Sequence, residues 1–583
     1  MYRTTTSLPH HLQHNYSSSR PHTPNPDPLD NVHNLDDALN LFDKMLHRIP
    51  VPSVYHFTRL LDVITKMNHY HSALVLFNKM CFLGIPVNHY TMTIAINCYC
   101  HFNLPGFAFS LLGSFFKRGY TPALPTFTVL IRGLALADRT PDAVNLFRKL
   151  IRDKICAPDG IMFGTVVDGL CKAGQTMRAI RLIKLMEQVN CKPDAIIYNI
   201  IIANLCKDRL IDKALDLFSE MIGKGFAPDV FTYTSFIQGL CNLRRWDDVV
   251  KKFEEMGASG ISPNVYTFNI LVDAYCKEGK MGDAEFMLHS MTARGISPNV
   301  VTYTALIDGY CFQRKMDKAM DWYSNMNDNK VFPNTFTYNS LINGYCKSKK
   351  LDAALNLFRF MQSKGVKPDI VTYNTLIYTL YRMGKCPLAL ELYNEMQARG
   401  IMPDTFTYTA VLNGLCQNNH IDEAMSLLHM LENRGLNSDI QIYTIIIDGT
   451  SKHGDFDSAR AIFKDLPLKG VKPNVHTYTV FINGLCLNRQ FEEAKEYLVK
   501  MEQDGCLPSS VTYNVIAQGF FKGNKCDEAV KILKEMVEKG FTPDSSTFKL
   551  LLDQLPSEGQ DSTLMDMIQN FAPRDMIVSN ANS

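Results

Sequence analysis

Two polar positions recur along this 583-residue chain at a 35-residue step, and each accepts only a few residue types. The first directly follows a recurring aromatic and is mostly Asn or Thr, as at Asn199, Thr234, Asn374 and Thr444. The second follows the proline that ends most units and is mostly Asp or Asn, as at Asp229, Asn264, Asp404 and Asn474. A hydroxyl or carboxamide both donates and accepts hydrogen bonds, whereas an ionised carboxylate only accepts. Alternating Asp with Asn at one place therefore alternates acceptor with donor. Such residues near a helix start are also caps. Capping accounts for their polarity, but not for two choices alternating at each place. The pattern points to hydrogen-bond readout that differs from unit to unit.

Other chemistries find little support. There is no P-loop, no H-E-x-x-H and no H-x-E with a C-x-x-C. Asp553, Asp561 and Asp566 lie in a polar C-terminal stretch and read as solvated acids. Nine of the sixteen cysteines hold one phase of the repeat: Cys100, Cys171, Cys206, Cys241, Cys276, Cys311, Cys346, Cys416 and Cys486. Equivalent places in stacked units sit roughly 10 Å apart, too far for a disulfide. They read as small buried thiols. Net charge is +2, so any basic surface must be local. No apolar run approaches the roughly 18 residues a membrane span requires. Residues 1–30 are acid-poor until Asp27 and rich in Ser, Thr, His and Pro, with Arg3 and Arg20. That composition resembles an organellar transit peptide, and His10, His11 and His14 read as solvated.

The elements that position the polar pairs follow from the same period. The aromatic occupies Tyr198, Tyr233, Phe268, Tyr303, Tyr338, Tyr373, Tyr408, Tyr443, Tyr478, Tyr513 and Phe548. Upstream come Phe163, then Phe127 and Phe57 after one extra residue near Cys156, with Met92 between them. Within one unit, Tyr303, Leu306, Ile307, Tyr310 and Cys311 mark one helical face. A polar break follows, then Met316, Ala319, Met320, Tyr323 and Met326 mark a second helix, and Pro333 ends the unit. Glycines stop the first helix at Gly174, Gly279, Gly384 and Gly454, and the second at Gly225, Gly260, Gly295, Gly365 and Gly400. Met221, Met256, Met291, Met326, Met361 and Met396 keep step as core filler. Helices of about 10 to 14 residues are marginal alone, so each hairpin must bury itself on its neighbours.

A 35-residue helical hairpin carrying VTYNTLI (371–377), FTYNSLINGYCK (336–347), VVDGLCKAG (166–174) and GVKPD (365–369) resembles the pentatricopeptide repeat. The rival tetratricopeptide repeat runs 34 residues with a tryptophan-bearing motif; this chain keeps 35 and has only Trp246 and Trp322. The resemblance implies an all-α, right-handed superhelical solenoid: a leader over 1–30, a partial repeat over 31–53, about fourteen repeats over 54–544, and a partial repeat, cap and tail over 545–583. The opening NVHNLDDALNLFDKML and the recurring N-G-x-C-K resemble the plain, restorer-of-fertility-like subgroup. The expected activity is sequence-specific binding of single-stranded RNA in an organelle, a mitochondrion first and a chloroplast second. Neither cofactor, metal nor small-molecule substrate is expected, and any cutting would come from a protein partner in trans. A protein-binding scaffold is the alternative from another class, and a nuclease in its own right a third.

In that family the first polar residue separates pyrimidine (Asn) from purine (Thr or Ser), and the second separates U or G (Asp) from C or A (Asn). Thr58 with Asn88 then resembles an A reader, Thr128 with Asp159 a G reader, and Asn199 with Asp229 a U reader. Thr234 with Asn264 reads A, Asn269 with Asn299 C or U, and Thr304 with Asn334 A. Asn339 with Asp369 and Asn374 with Asp404 read U. Thr409 with Asp439 reads G, Thr444 with Asn474 A, Thr479 with Ser509 a purine, and Asn514 with Asp544 U. Thr93 with Ala123 and Gly164 with Asp194 are off-pattern. The implied target is about A-n-G-n-U-A-Y-A-U-U-G-A-R-U. Base stacking falls to the residue before the T-Y pair or its equivalent: Ile196, Phe231, Tyr266, Val301, Phe336, Val371 and Phe406. Phosphate contact falls to Lys172, Lys207, Lys277, Lys347, Arg382, Lys452 and Lys522, near the end of each first helix.

Overall fold

The computed structural model describes residues 34–553 and Val32, except Asn190, Arg434 and Leu436–Ser438. The expected leader, including Arg3, His10, His11, His14 and Arg20, lies outside the described residues, as do Asp561 and Asp566. Among the described residues there are thirty helices and no strand. Nearly all are 13 residues long, within the expected range; the single helix of the partial N-terminal repeat, Leu35–Leu46, has 12. The fold is an all-α tandem-hairpin solenoid. No described helix is long and apolar enough to cross a membrane.

The chain divides into two compact units between Ile270 and Leu271, inside the helix Val265–Lys277. Both repeat one packing rule. In the first unit, His89–His101 packs on Pro105–Lys117, its hairpin partner, and on Leu124–Leu136, the first helix of the next repeat. In the second unit, Val300–Phe312 packs likewise on Met316–Asp328 and on Thr335–Lys347. First helices thus form a continuous row within each unit.

The recurring aromatic anchors each hairpin from inside. Tyr198, Tyr373 and Tyr513 are fully buried. Each hydroxyl donates to a glutamate of its own second helix: Tyr198 to Glu220 at 3.1 Å, Tyr373 to Glu395 at 3.0 Å and Tyr513 to Glu535 at 3.0 Å. A buried phenol needs such a partner. The methionine series is fully buried as core filler.

The G-x-C element sets the spacing between neighbouring repeats. A Cβ built on Gly344 would lie 2.7 Å from the Cys311 Sγ and 2.9 Å from the Met316 Sδ. Gly309 meets Cys276 and Met281 in the same way, and Gly239 meets Cys206 and Ile211. The glycine is absent-side-chain space into which the previous repeat's thiol packs. The nine in-phase cysteines are all buried. Burial pushes the thiols of Cys171, Cys206, Cys276 and Cys311 up to about 12, so they stay protonated and inert.

Gly344→Ala should therefore destabilise the second unit by about 1–3 kcal/mol through overpacking. Gly113, in the helix Pro105–Lys117, has nothing within 4 Å of its built Cβ. Gly113→Ala should instead stabilise by up to about 0.5–1 kcal/mol. Chemical-unfolding midpoints of the two variants check the contrast; equal shifts of one sign would contradict it.

Candidate nucleic-acid interface

The second polar residue of each pair caps the next repeat's first helix. Asp229 Oδ1 accepts from the Thr232 backbone N–H at 2.9 Å, Asp404 Oδ1 from Thr407 at 2.8 Å, and Asn334 Oδ1 from Thr337 at 3.1 Å. Asn88, Asp159, Asp194, Asn264, Asp369, Asn474, Ser509 and Asp544 cap the same way. The extra residue near Cys156 leaves the Asp159 cap intact at 2.8 Å. Ala123 cannot cap.

Capping has a chemical consequence. A backbone N–H can only be met by oxygen, so the cap fixes which way a carboxamide points. Asn334 spends its oxygen on the helix and leaves its NH₂ outward, a donor without a partner among the described residues. Asp404 spends Oδ1 on the helix and leaves Oδ2, an acceptor. Both residues are exposed. The cap is what presents a donor from Asn and an acceptor from Asp.

The first polar residue is far more buried than the second: Asn199, Thr234, Asn374, Thr444, Thr479 and Asn514 are 4% to 7% exposed. The reason is an interlock with the next repeat through a threonine in the first turn of its first helix. Where the first residue is Asn, this threonine donates to its oxygen: Thr232 to Asn199 at 2.5 Å, Thr372 to Asn339 at 2.6 Å and Thr407 to Asn374 at 2.7 Å. The same amide donates to the capping acid: Asn199 to Asp229 at 3.1 Å, Asn339 to Asp369 at 3.0 Å and Asn374 to Asp404 at 3.2 Å. Where the first residue is Thr, the two hydroxyls pair at 2.8 Å: Thr234 with Thr267, Thr304 with Thr337, and Thr444 with Thr477. The polar side chains are buried because all their groups are met.

Sequence reasoning missed these threonines. Thr232, Thr267, Thr337, Thr372, Thr407, Thr477 and Thr512 are fully buried. The available signal was a β-branched residue held at one phase of a helix, where it has no propensity advantage. In one repeat that lacks the threonine, the geometry changes. Ile442 stands in that place, Asp439 accepts from Gln441 at 2.8 Å instead, and Thr409 turns back to the Phe406 carbonyl at 3.0 Å. In the last complete repeat the Asn514 carboxamide is turned over: its oxygen accepts from the Asp544 backbone N–H at 3.0 Å.

Burial raises the Asp369 and Asp404 carboxyls, but hydrogen bonds outweigh it and hold both below the ordinary value. For Asp369 these come from the Thr372 backbone N–H, the Asn339 amide and the Thr372 hydroxyl. For Asp404 they come chiefly from the Thr407 N–H and hydroxyl and the Asn374 amide.

The three predicted residue classes meet in shared grooves. In the first unit, a groove of about 810 Å³ is lined by Asp229, Thr234 and Asn264, by Phe231 and Tyr266, and by Lys207. In the second, one of about 900 Å³ is lined by Asn374 and Asp404, Val371 and Phe406, and Lys347 and Arg382. The seven proposed stacking residues are 53% to 71% exposed, unusual for large apolar side chains on such a regular core. The cation row is mixed. Lys172, Lys277 and Lys452 pair with the aspartate one turn back, at 2.8, 2.7 and 2.6 Å. Lys207, Lys347, Arg382 and Lys522 make no ion pair among the described residues. No cluster able to hold a metal ion occurs among the described residues.

Fold and site together define a tandem helical-hairpin repeat protein with polar pairs interlocked across many of its repeat junctions. The PPR repeat family model matches residues 52–101 and overlapping windows from 193 to 556, and PPR repeat models match 125–155 and 154–187. The chain belongs to the pentatricopeptide repeat family. It is 38% identical over 111 residues to the pentatricopeptide repeat-containing protein At1g12700 of Arabidopsis thaliana, covering 19% of this chain and 18% of that protein. It is 46% identical over 88 residues to At3g16710 of the same plant, covering 15% and 17%. Both are named as mitochondrial, and the matched stretches span under a fifth of either relative. The crystal structure of the pentatricopeptide repeat protein PPR10 in complex with an 18-nt psaJ RNA element aligns with a TM-score of 0.52 at 21% identity, over 94% of this chain and 88% of that one. That likeness is one of fold.

Because the folded-state values of Asp369 and Asp404 are depressed, their contribution to stability is present above the ordinary carboxylate value. It is lost as pH falls through the folded values. Asp369→Asn combined with Asp404→Asn should therefore lose less stability than wild type between neutral and acid pH. Unfolding midpoints across that range check it; parallel curves would refute the role given to these carboxylates.

Proposed function

We propose that this chain binds single-stranded RNA in a sequence-specific manner, one base per repeat. The carrying observation is the cap geometry. Asp presents an acceptor where U and G carry a ring N–H, and Asn presents a donor where C and A carry a ring acceptor. Exposed stacking residues and groove cations beside each pair support the same reading, since bases stack on such side chains and phosphates meet such cations. The likeness to PPR10, whose structure holds an RNA element, supports it as well.

The protein acts in an organelle, the mitochondrion first, on the processing, stabilisation or translation of a transcript. The mitochondrial names of its relatives support that place. The similarity of the segment from Asn31 to Leu46 to restorer-of-fertility-like proteins supports assignment to that subgroup. The chain itself is not the catalyst; chemistry on the RNA falls to partners in trans. The assigned roles are those set out for the base-reading pairs, the stacking residues and the cation row, with the Asp439 and Asp544 repeats reading more loosely because their interlocks differ.

The pair Asn374 and Asp404 tests the code. Asn374→Thr with Asp404→Asn would place a hydroxyl opposite Thr407, as Thr304 faces Thr337 at 2.8 Å, and an amide on the cap, as in Asn334. One interlock replaces another, so stability should change by less than about 1 kcal/mol. The preferred base at the tenth site should switch from U to A, with about 1–3 kcal/mol of discrimination. Selection from an RNA pool reads the result; a folded variant that still selects U there would refute the assignment. Wild type should also bind the 14-mer far better alone than annealed to its complement, because a duplex hides base edges. Equal binding in a titration, or binding that ignores sequence, would favour a scaffold.

A further inference from the structure

The second helices Thr140–Arg152 and Thr176–Gln188, in consecutive repeats of the first unit, flank a groove of about 420 Å³. Val144 and Arg148 line it from one helix, four residues apart. Arg178, Arg181, Leu182 and Leu185 line it from the other, at i, i+3, i+4 and i+7, a single helical stripe. Val144, Leu182 and Leu185 are half-buried, and the three arginines are exposed. The groove thus has an apolar floor and a cationic rim. The two helices carry six cations against two acids, in a chain whose net charge is +2. Both acids are already engaged, Asp142 by Arg139 at 2.7 Å and Glu187 by Lys224 at 2.5 Å. Arg148 and Arg181 make no ion pair among the described residues. Arg178 donates to the neutral Gln175 side chain at 2.7 Å. Elsewhere, junctions between consecutive second helices carry acid–base pairs, as between Arg460 and Glu493 at 2.7 Å and between Lys495 and Glu528 at 2.6 Å. This junction instead gathers arginines from both helices.

We infer that this groove docks an acidic amphipathic helix of a protein partner. Helix-in-groove recognition lays apolar side chains at i, i+3, i+4 and i+7 into such a trough. Covering the half-buried valine and leucines is favourable. Carboxylates flanking the apolar stripe of the partner would meet Arg148, Arg178 and Arg181 in charge-assisted hydrogen bonds that no residue of this chain supplies. RNA is a poorer occupant. No base-reading, stacking or cation-row residue lines the groove. Its one aromatic, Phe147, is fully buried, so a base has no ring to stack on. The groove is therefore separate from the residues assigned to RNA, and a partner held there leaves them open. The inference goes beyond the RNA-binding reading and does not depend on it.

The test uses the full chain and a synthetic helical peptide of roughly 15 residues, with leucines along one face and glutamates flanking them. Fluorescence anisotropy at about 0.15 M salt reads binding. Wild type should bind this peptide, but neither a version with lysine for glutamate nor one with serine for leucine. Arg148→Glu with Arg181→Glu should weaken the acidic peptide by about tenfold or more and admit the lysine version, which also shows that the variant folds. Lys500→Glu with Lys531→Glu, on second helices of later repeats, should alter neither result. The arginine reversal should leave affinity for the predicted RNA 14-mer unchanged. Equal binding of the serine version would reduce the effect to general attraction of acids, and absence of binding by wild type would leave the groove without this occupant; either overturns the inference. Competition between the 14-mer and the acidic peptide, or loss of RNA affinity on arginine reversal, would assign the groove to RNA and overturn it too. The peptide results stand whether or not wild type binds RNA, so the two readings fail separately.

Discussion

The hydrogen bond from a side-chain oxygen to the first turn of the next repeat's first helix ties structure to recognition here. A helix start leaves backbone N–H groups unmet, and a solenoid of short helices multiplies that need at every repeat. Asp229, Asn334, Asp369 and Asp404 meet it. Once one oxygen is committed, the remaining terminal atom of each residue is fixed in position and in kind. A stability requirement thereby becomes a way of presenting one donor or one acceptor per repeat. The buried threonine beside the cap extends the constraint to the first polar residue. Thr372 and Thr407 each reach back to the preceding Asn while touching their own capping acid. Each pair is therefore assembled across two repeats and is only as well placed as their junction.

That dependence gives the G-x-C contact its wider meaning. Gly344 admits the Cys311 thiol at a distance no Cβ would allow, and Gly309 does the same for Cys276. Close approach of consecutive first helices keeps the paired side chains within hydrogen-bonding reach. A methyl group's worth of separation would stretch bonds such as the 2.8 Å contact between Thr304 and Thr337. Packing and the proposed readout are thus coupled through spacing. Where Tyr381 or Ser451 takes the cysteine's place, it is accommodated against Gly414 or Gly484 by the same missing side chain.

What was legible in the sequence follows from periodicity. An aromatic, a methionine, a cysteine and a glycine each held at one phase fix helix, turn and buried face, and Tyr198, Met221, Cys206 and Gly225 fall as expected. The polar pairs were legible as chemistry because their types alternate. Their burial was not. Polarity argues for exposure only where partners are lacking, and Asn374 finds its partners 30 and 33 residues away in sequence. Such cross-repeat bonds leave no mark on a single helical pattern. Thr407 was overlooked for a related reason: beside a tyrosine at a helix start, it looks like part of a motif and not a partner to anything. The departures at Asp439 and Asn514 were equally hidden, since both pairs have ordinary residue types and differ only in what surrounds them.

Charge distribution completes the picture. With a net charge of +2, the chain offers no long-range attraction for a polyanion. A uniformly basic solenoid would hold any RNA through phosphates alone. Local cations serve differently. Lys172, Lys277 and Lys452 are partly neutralised by an aspartate one turn away. Exposed pairs of this type are worth only about 0.3–0.5 kcal/mol, so a phosphate can displace the aspartate at small cost. Lys347 and Arg382 lie instead over aromatic rings, 5.9 Å from the Phe312 centroid and 5.7 Å from that of Tyr378. Both arrangements hold a cation without committing it strongly. On the proposed reading, such cations add affinity through phosphates without preference, and discrimination is left to the donors and acceptors that the caps hold in place.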